Sequence, residues 1–385
     1  MIHSRRFILA NDKLLFTMFA IVATVAARAE MVDAWIGTGG KESRGIYHVA
    51  LDTESGKITK PQVAAEISSP GFLALHPSGR YLYAGARRDG KGIVASYRIK
   101  SGTGQPRLVP MNEQPLESGS STCVAVDQTG SVLLSVQYGA GTVATFPLGD
   151  DGTIGSRNQT IAHAETGTGI VKGRQDRPHP HWIGTGPNNR FVFVPDLGLD
   201  SIQIYELFPD AATIKDHGKA KLAKGAGPRH MKFDPTGKYA YVLNELSLTI
   251  TAFSFDAESG TLTEIQTIPT LKDEDKEVDL NTASEIRIHP TGRYVYAGNR
   301  GHDSIAVFQV DSSSGKLSHV ETESVRGSWP RNFNIDPSGR WVLVGGQHSN
   351  TVSVFLVDQN NGGLIFTRQV ENMPQPICFV FTRRG

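Results

Sequence analysis

His76-Pro77-Ser78-Gly79-Arg80, Asp234-Pro235-Thr236-Gly237-Lys238, His289-Pro290-Thr291-Gly292-Arg293 and Asp336-Pro337-Ser338-Gly339-Arg340 are four copies of one phrase. Two degenerate copies, Asp127-Gln128-Thr129-Gly130-Ser131 and Gly186-Pro187-Asn188-Asn189-Arg190, lie between the first and the second. Short apolar runs follow, at 81–84, 191–194, 239–243, 294–297 and 341–344. Proline presets φ and glycine accepts φ > 0, so Pro-x-Gly between two β-rich runs reads as a hairpin turn. Recurrence at a period of roughly 50 residues points to blades arranged around an axis.

Working outward from the turns, period-two alternation marks further strands at 304–310 and 351–357, with counterparts at 92–99, 141–148, 201–207 and 249–255. Asp-rich turns containing glycine follow at 256–260, 311–315 and 358–363. One unit is therefore strand, Pro-x-Gly turn, strand, loop, strand, Asp-rich turn, strand: a four-stranded antiparallel blade. Six turn phrases give six blades, and the chain ends supply a seventh. Segments 33–38 and 45–51 match the second and third strands of a unit that lacks a first strand, and 376–382 matches a first strand with nothing after it. The expected fold is an all-β, seven-bladed β-propeller whose ring closes when the C-terminal strand joins the N-terminal strands. Closure also removes free sheet edges.

The 385-residue chain is read as one propeller domain, 31–385, because repeat folds grow by adding units rather than domains. Residues 1–29 are set apart as a signal peptide. Arg5 and Arg6 open it, an apolar stretch spans 14–27, and Ala27-Arg28-Ala29 is a small-x-small cleavage site. Ser4-Arg5-Arg6-Phe7-Ile8-Leu9 resembles a twin-arginine export signal, although Asp12 and Lys13 interrupt the apolar run. The expected location is periplasmic or extracellular, with no membrane association after signal removal. Without those residues, 35 basic and 37 acidic side chains remain, which gives no electrostatic case for nucleic acid. Cys123 and Cys378 lie in apolar runs and read as small buried side chains, although export would permit a disulfide. The charged stretch 272–279 reads as a solvated loop between blades.

First-strand ends of a propeller surround its channel, so ionisable residues beside first strands are candidates for a site. Pro178-His179-Pro180-His181 carries two histidines at i, i+2, suited to acid–base work or to metal. Gly225-Ala226-Gly227-Pro228-Arg229-His230 brings an arginine that can grip a carboxylate or phosphate bidentately. Asn244-Glu245 and Ser284-Glu285 supply carboxylates as bases or ion-pair partners. Asn299-Arg300-Gly301-His302, Asn332 and Gln347-His348 hold corresponding places in later units. No serine elbow, Walker loop or dinucleotide fingerprint is present in the sequence.

These four clusters, with Phe191-Val192-Phe193-Val194-Pro195-Asp196-Leu197-Gly198-Leu199-Asp200, resemble the seven-bladed propeller lactonase family, which includes propeller-type 6-phosphogluconolactonase and 3-carboxy-cis,cis-muconate cyclase. The similarity covers about residues 31–382. It implies hydrolysis of a sugar lactone to its aldonate, most like 6-phosphogluconolactonase. It implies a catalytic set of His179 or His181, Arg229, Glu245 and Arg300; His230, Glu285, Asn299 and Asn332, at neighbouring or corresponding places, are expected to contact substrate. No cofactor and no metal are called for. A muconate-type lactonising enzyme runs related chemistry in reverse. A non-catalytic exported binding propeller is the other alternative, since Tyr241-Val242-Leu243-Asn244 and Tyr296-Ala297-Gly298-Asn299 also resemble repeats of surface-layer propellers. The partner is a small lactone or carboxylate, and the sequence leaves oligomeric state open.

Overall fold

The structure is a computed structural model that describes residues 1, 30–100, 107–117, 119–275 and 281–384. Residues 2–29 of the segment read as a signal peptide, and residues 276–280 of the charged loop, lie outside the described residues. Among those described, 28 strands form seven four-stranded antiparallel sheets. Six sheets use strands consecutive in sequence, and the seventh takes its innermost strand, Pro376–Arg383, from the C-terminus. Blades are numbered here from that N-terminal sheet.

Burial follows from this stacking. Second strands such as Phe191–Asp196 and Trp341–Gly346 are buried along their whole length, because a neighbouring blade covers each face. Outer strands such as Thr213–Lys221 have a single buried residue and are otherwise half-buried or exposed at the ring's rim. Phe193, Phe233 and Phe255 pack edge-on between blades four and five at centroid distances of 5.0 to 5.6 Å.

The repeated phrase is the hairpin turn expected. Gly79, Gly237, Gly292 and Gly339 take φ between +69° and +75°, and Asn189 takes +57° in the degenerate copy, so a small polar residue fills the left-handed place. Where the phrase begins with Asp, its carboxylate accepts N–H bonds from its own turn, as Asp336 does from Arg340 (2.9 Å) and Trp341 (2.8 Å). Where it begins with His, the ring reaches the next blade: His289 Nε2 lies 2.8 Å from the Gly339 carbonyl.

A second stitch joins successive blades. The aromatic that opens an apolar run lies against the glycine of the next blade's Asp-rich turn: Tyr81 on Gly152, Phe191 on Gly260, Tyr239 on Gly315, Tyr294 on Gly362 and Trp341 on Gly56. All five glycines have positive φ. The last pair carries the pattern across the seam into blade one, where Trp341 Nε1 also donates to the Thr53 carbonyl at 2.8 Å.

The seam itself is a full strand ladder. Pro376–Arg383 pairs antiparallel with Met31–Thr38, from Thr38↔Pro376 to Val32↔Arg383. Trp35 Nε1 donates to Thr382 Oγ1 (2.9 Å), and buried Asp33 accepts from Arg384 Nε (2.8 Å) while pairing with His48. Cys123 and Cys378 are free and buried, and burial pushes both thiols up to about 12, as inert core residues.

The stitch yields a paired prediction. A Cβ on Gly362 would come within 2.5 Å of the Tyr294 ring at φ +78°, whereas one on Gly79, at φ +69°, meets nothing within 4 Å. Gly79→Ala is expected to cost about 1–2 kcal/mol from backbone strain alone. Gly362→Ala adds overpacking, for about 2–5 kcal/mol in all. Denaturant unfolding of the two variants beside wild type checks the difference.

Candidate active site

Inner strands do not enter the ring regularly. Pro228 opposes Asn244 and His230 opposes Leu243, so Arg229 is an extra residue with no counterpart. The same one-residue bulge occurs between Pro330 and Asn332, freeing Arg331, and between Pro376 and Cys378, freeing Ile377. Pro180 bridges Asp196 while Gly184 opposes Phe193, so the strand entry after Pro180-His181 also carries one extra residue. Proline has no N–H to give to a ladder and therefore suits the first position of such a bulge. In each case the residue after proline turns to the axis. Gly71, His181, Arg229, Arg331 and Ile377 all line a central cavity of about 190 Å³, with Phe72, Ser121 and Thr122.

A second cavity of about 270 Å³ adjoins it, sharing Thr122, His181 and Arg331 and adding Tyr138, Arg174, Glu245 and Arg300. Glu245 is its organising charge. Its carboxylate meets Arg229 Nε at 2.9 Å and Arg300 Nη2 at 3.1 Å, and it also pairs with Arg174. Burial would raise the Glu245 pKa, but Arg300, Arg229 and Arg174 outweigh it and hold the group at about 2. Burial, together with Arg300, pushes Arg229 down to about 9, so it stays charged at neutral pH.

Loop geometry sets these arginines in place. Asp200 accepts N–H bonds from Gly225 (2.7 Å) and Gly227 (2.8 Å), which fixes the approach to Arg229. It also accepts from Gln175 Nε2 at 2.7 Å, which anchors the loop that carries Arg174. Arg229 commits Nη1 to the Ser284 carbonyl and to His230, and Arg300 commits Nη2 to the Ala283 carbonyl (2.7 Å). Among the described residues, Arg229 Nη2 and Arg300 Nη1 make no hydrogen bond, and buried Arg300 Nε has no partner.

The two histidines of the Pro-His-Pro-His segment separate. His179 stacks on Tyr138 (centroids 4.2 Å apart), its Nδ1 lies 2.9 Å from the Tyr138 carbonyl, and it lines neither cavity. Its backbone N–H is held by Asp196 Oδ1 at 2.7 Å. His181 lines both cavities, and its buried Nδ1 has no partner among the described residues. Burial, then Arg229, His230, Arg331 and Arg300, lower the His181 pKa well below 6.5, so the ring is neutral at neutral pH.

His230, Glu285 and Asn332 form a layer beneath the cavity rather than its wall. Arg229 donates to His230 Nε2 (2.9 Å), so the proton sits on Nδ1, facing Glu285 at 3.1 Å. Glu285 also meets Arg287 (3.3 Å) and Asn332 Nδ2. Asn299, read in the sequence as a substrate contact, lines neither cavity. Strand alternation turns it opposite to Arg300, where its Oδ1 accepts from Thr270 (2.7 Å) inside the blade. Lining residues absent from the sequence reading of the site include Tyr138, Arg174 and Arg331. Arg331 had a legible signal, because Pro330-Arg331-Asn332 repeats Pro228-Arg229-His230.

Arginines, a neutral histidine and a buried carboxylate converging on the axis of a seven-bladed ring define a propeller enzyme site for an anionic or carbonyl-bearing small molecule. The chain belongs to the seven-bladed β-propeller lactonase family, whose model matches residues 33–381. It is 38% identical over 302 residues to a 6-phosphogluconolactonase of Bacillus subtilis, covering 78% of this chain and 83% of that protein. It is 33% identical over 305 residues to a 6-phosphogluconolactonase of Formosa agariphila, covering 77% and 84%. Among solved structures, the periplasmic gluconolactonase of Pseudomonas aeruginosa superposes with a TM-score of 0.85 at 28% identity, over 92% of this chain and all of that one.

Removing the central carboxylate leaves buried guanidiniums uncompensated, so Glu245→Gln is expected to cost about 3–5 kcal/mol at pH 7. The Glu245 pKa is lower folded than unfolded, so its contribution is complete above about pH 4.5 and is lost as pH falls toward 2. The difference in melting temperature between wild type and Glu245→Gln should therefore shrink between pH 7 and pH 3, as measured by scanning calorimetry.

Proposed function

We propose that the chain hydrolyses a sugar δ-lactone to its aldonate in the manner of the 6-phosphogluconolactonases it resembles, with His181 as the base. The observation that carries this assignment is a neutral imidazole with no side-chain hydrogen bond among the described residues, on the wall of both cavities and among four arginines. His181 takes a proton from water as the water oxygen attacks the lactone carbonyl. Negative charge then develops on the carbonyl oxygen, where the uncommitted donors of Arg229 and Arg300 receive it. Collapse of this intermediate breaks the ring C–O bond, and the imidazolium returns its proton to the departing alkoxide. The product is the open-chain hydroxy acid.

Glu245, held by three arginines, orients guanidiniums rather than taking protons, and His179 fixes the Tyr138 wall. We further propose that this is an exported enzyme. The leader-like residues 1–29 support this, as does the likeness to a gluconolactonase described as periplasmic.

His181→Ala is expected to lower kcat by about 10²–10⁴-fold on glucono-δ-lactone and 6-phosphoglucono-δ-lactone, after subtraction of spontaneous hydrolysis. The wild-type rate should show no loss as pH falls through 6.5, because the His181 pKa lies well below that value. Activity in the alanine variant equal to wild type, or a wild-type inflection at 6.5, would remove His181 from the role.

A further inference from the structure

Arg331 is the one arginine of the two cavities with no counter-charge in contact. Arg174, Arg229 and Arg300 each reach Glu245, whereas Arg331 makes no hydrogen bond and no ion pair among the described residues. It nevertheless lines both cavities, beside Thr122 and His181, at the bulge position that Arg229 holds two blades earlier. It is half-buried, and a cation held among other guanidiniums without a counter-charge in contact is destabilising. Burial and then Arg300 push its pKa down to about 10, so it carries its charge at neutral pH. Four guanidiniums share one carboxylate here, since Glu285 below is already engaged by Arg287, His230 and Lys232.

Building on the lactonase reading, we propose that Arg331 is a specificity residue: it binds a phosphate monoester carried by the lactone away from its ring carbonyl, and so selects phosphorylated over neutral sugar lactones. The bulge after Pro330 delivers this guanidinium to the boundary of the two cavities. There it can hold an oxyanion while His181, Arg229 and Arg300 act on the ring. Arginine suits the task because its planar fork matches phosphate oxygens.

The test compares 6-phosphoglucono-δ-lactone with glucono-δ-lactone for wild type, Arg331→Met and Arg331→Lys. Loss of one charge-assisted contact should lower the ratio of kcat/KM for the phosphorylated over the neutral lactone by about 10- to 100-fold in the methionine variant. The fall should lie in KM, and lysine should restore part of it. Arg331→Met should melt no lower than wild type, because it removes an unpaired cation, and this separates lost binding from lost folding. An equal proportional loss on both lactones, or a loss confined to kcat, would place Arg331 at the reacting carbonyl and overturn the proposal, as would an unchanged ratio. If wild type hydrolyses neither lactone, the lactonase reading fails. Titration calorimetry with inorganic phosphate and 6-phosphogluconate then decides the inference separately: binding lost in Arg331→Met sustains it, and binding absent in wild type or unchanged in the variant ends it.

Discussion

One carboxylate makes this channel mouth chemically feasible. Burying several guanidiniums together is strongly unfavourable in a low dielectric unless an anion sits among them. Glu245 is that anion, and three arginines from three parts of the chain are oriented by it. Burial, reinforced by the positive field that results, keeps His181 neutral, and a neutral imidazole is the form that accepts a proton. The site is thus a single electrostatic unit. The proposed base, the proposed oxyanion donors and the surplus charge all depend on where Glu245 lies and on how few other anions reach it.

Backbone register, more than side-chain identity, decides which residues belong to that unit. The Pro-x-Gly hairpins make the blades alike, while the bulge after proline at the entry of inner strands makes their axial residues different. One extra residue in the strand turns a side chain out of the pleat toward the axis. His181, Arg229, Arg331 and Ile377 occupy this place in four blades. The fold can therefore exchange its axial wall one residue at a time without disturbing the sheets.

The architecture was legible because turn chemistry and period-two alternation are local, and both recur in the chain. The closing strand was legible for the same reason: 376–382 read as an orphaned first strand. The site was legible only as clusters. Sequence placed Asn299 beside Arg300, but alternation sends adjacent side chains to opposite faces, so one entered the blade and the other the cavity. The histidine pair could not be resolved at i, i+2 because the bulge between Pro180 and Gly184 breaks the simple period. Arg174 carried no signal: it lies in an irregular loop positioned by Asp200, a contact across 25 residues that no repeat announces. Arg331 was visible only when the inner strands were compared with one another.

Closing the ring with the last strand also sets the order of events when the protein forms. Trp35 meets Thr382 across 347 residues of chain, so the N-terminal strands leave the ribosome long before the strand that pairs them exists. Until then blade one has an open inner edge of the kind that invites wrong pairing. Contacts of such sequence separation are slow to make, since the loop entropy falls due before any ladder is formed. Once made, the same contacts leave no end from which the ring can unravel, and loss of structure must begin by breaking a whole ladder. The native ring is expected to outlast what its equilibrium stability alone would suggest.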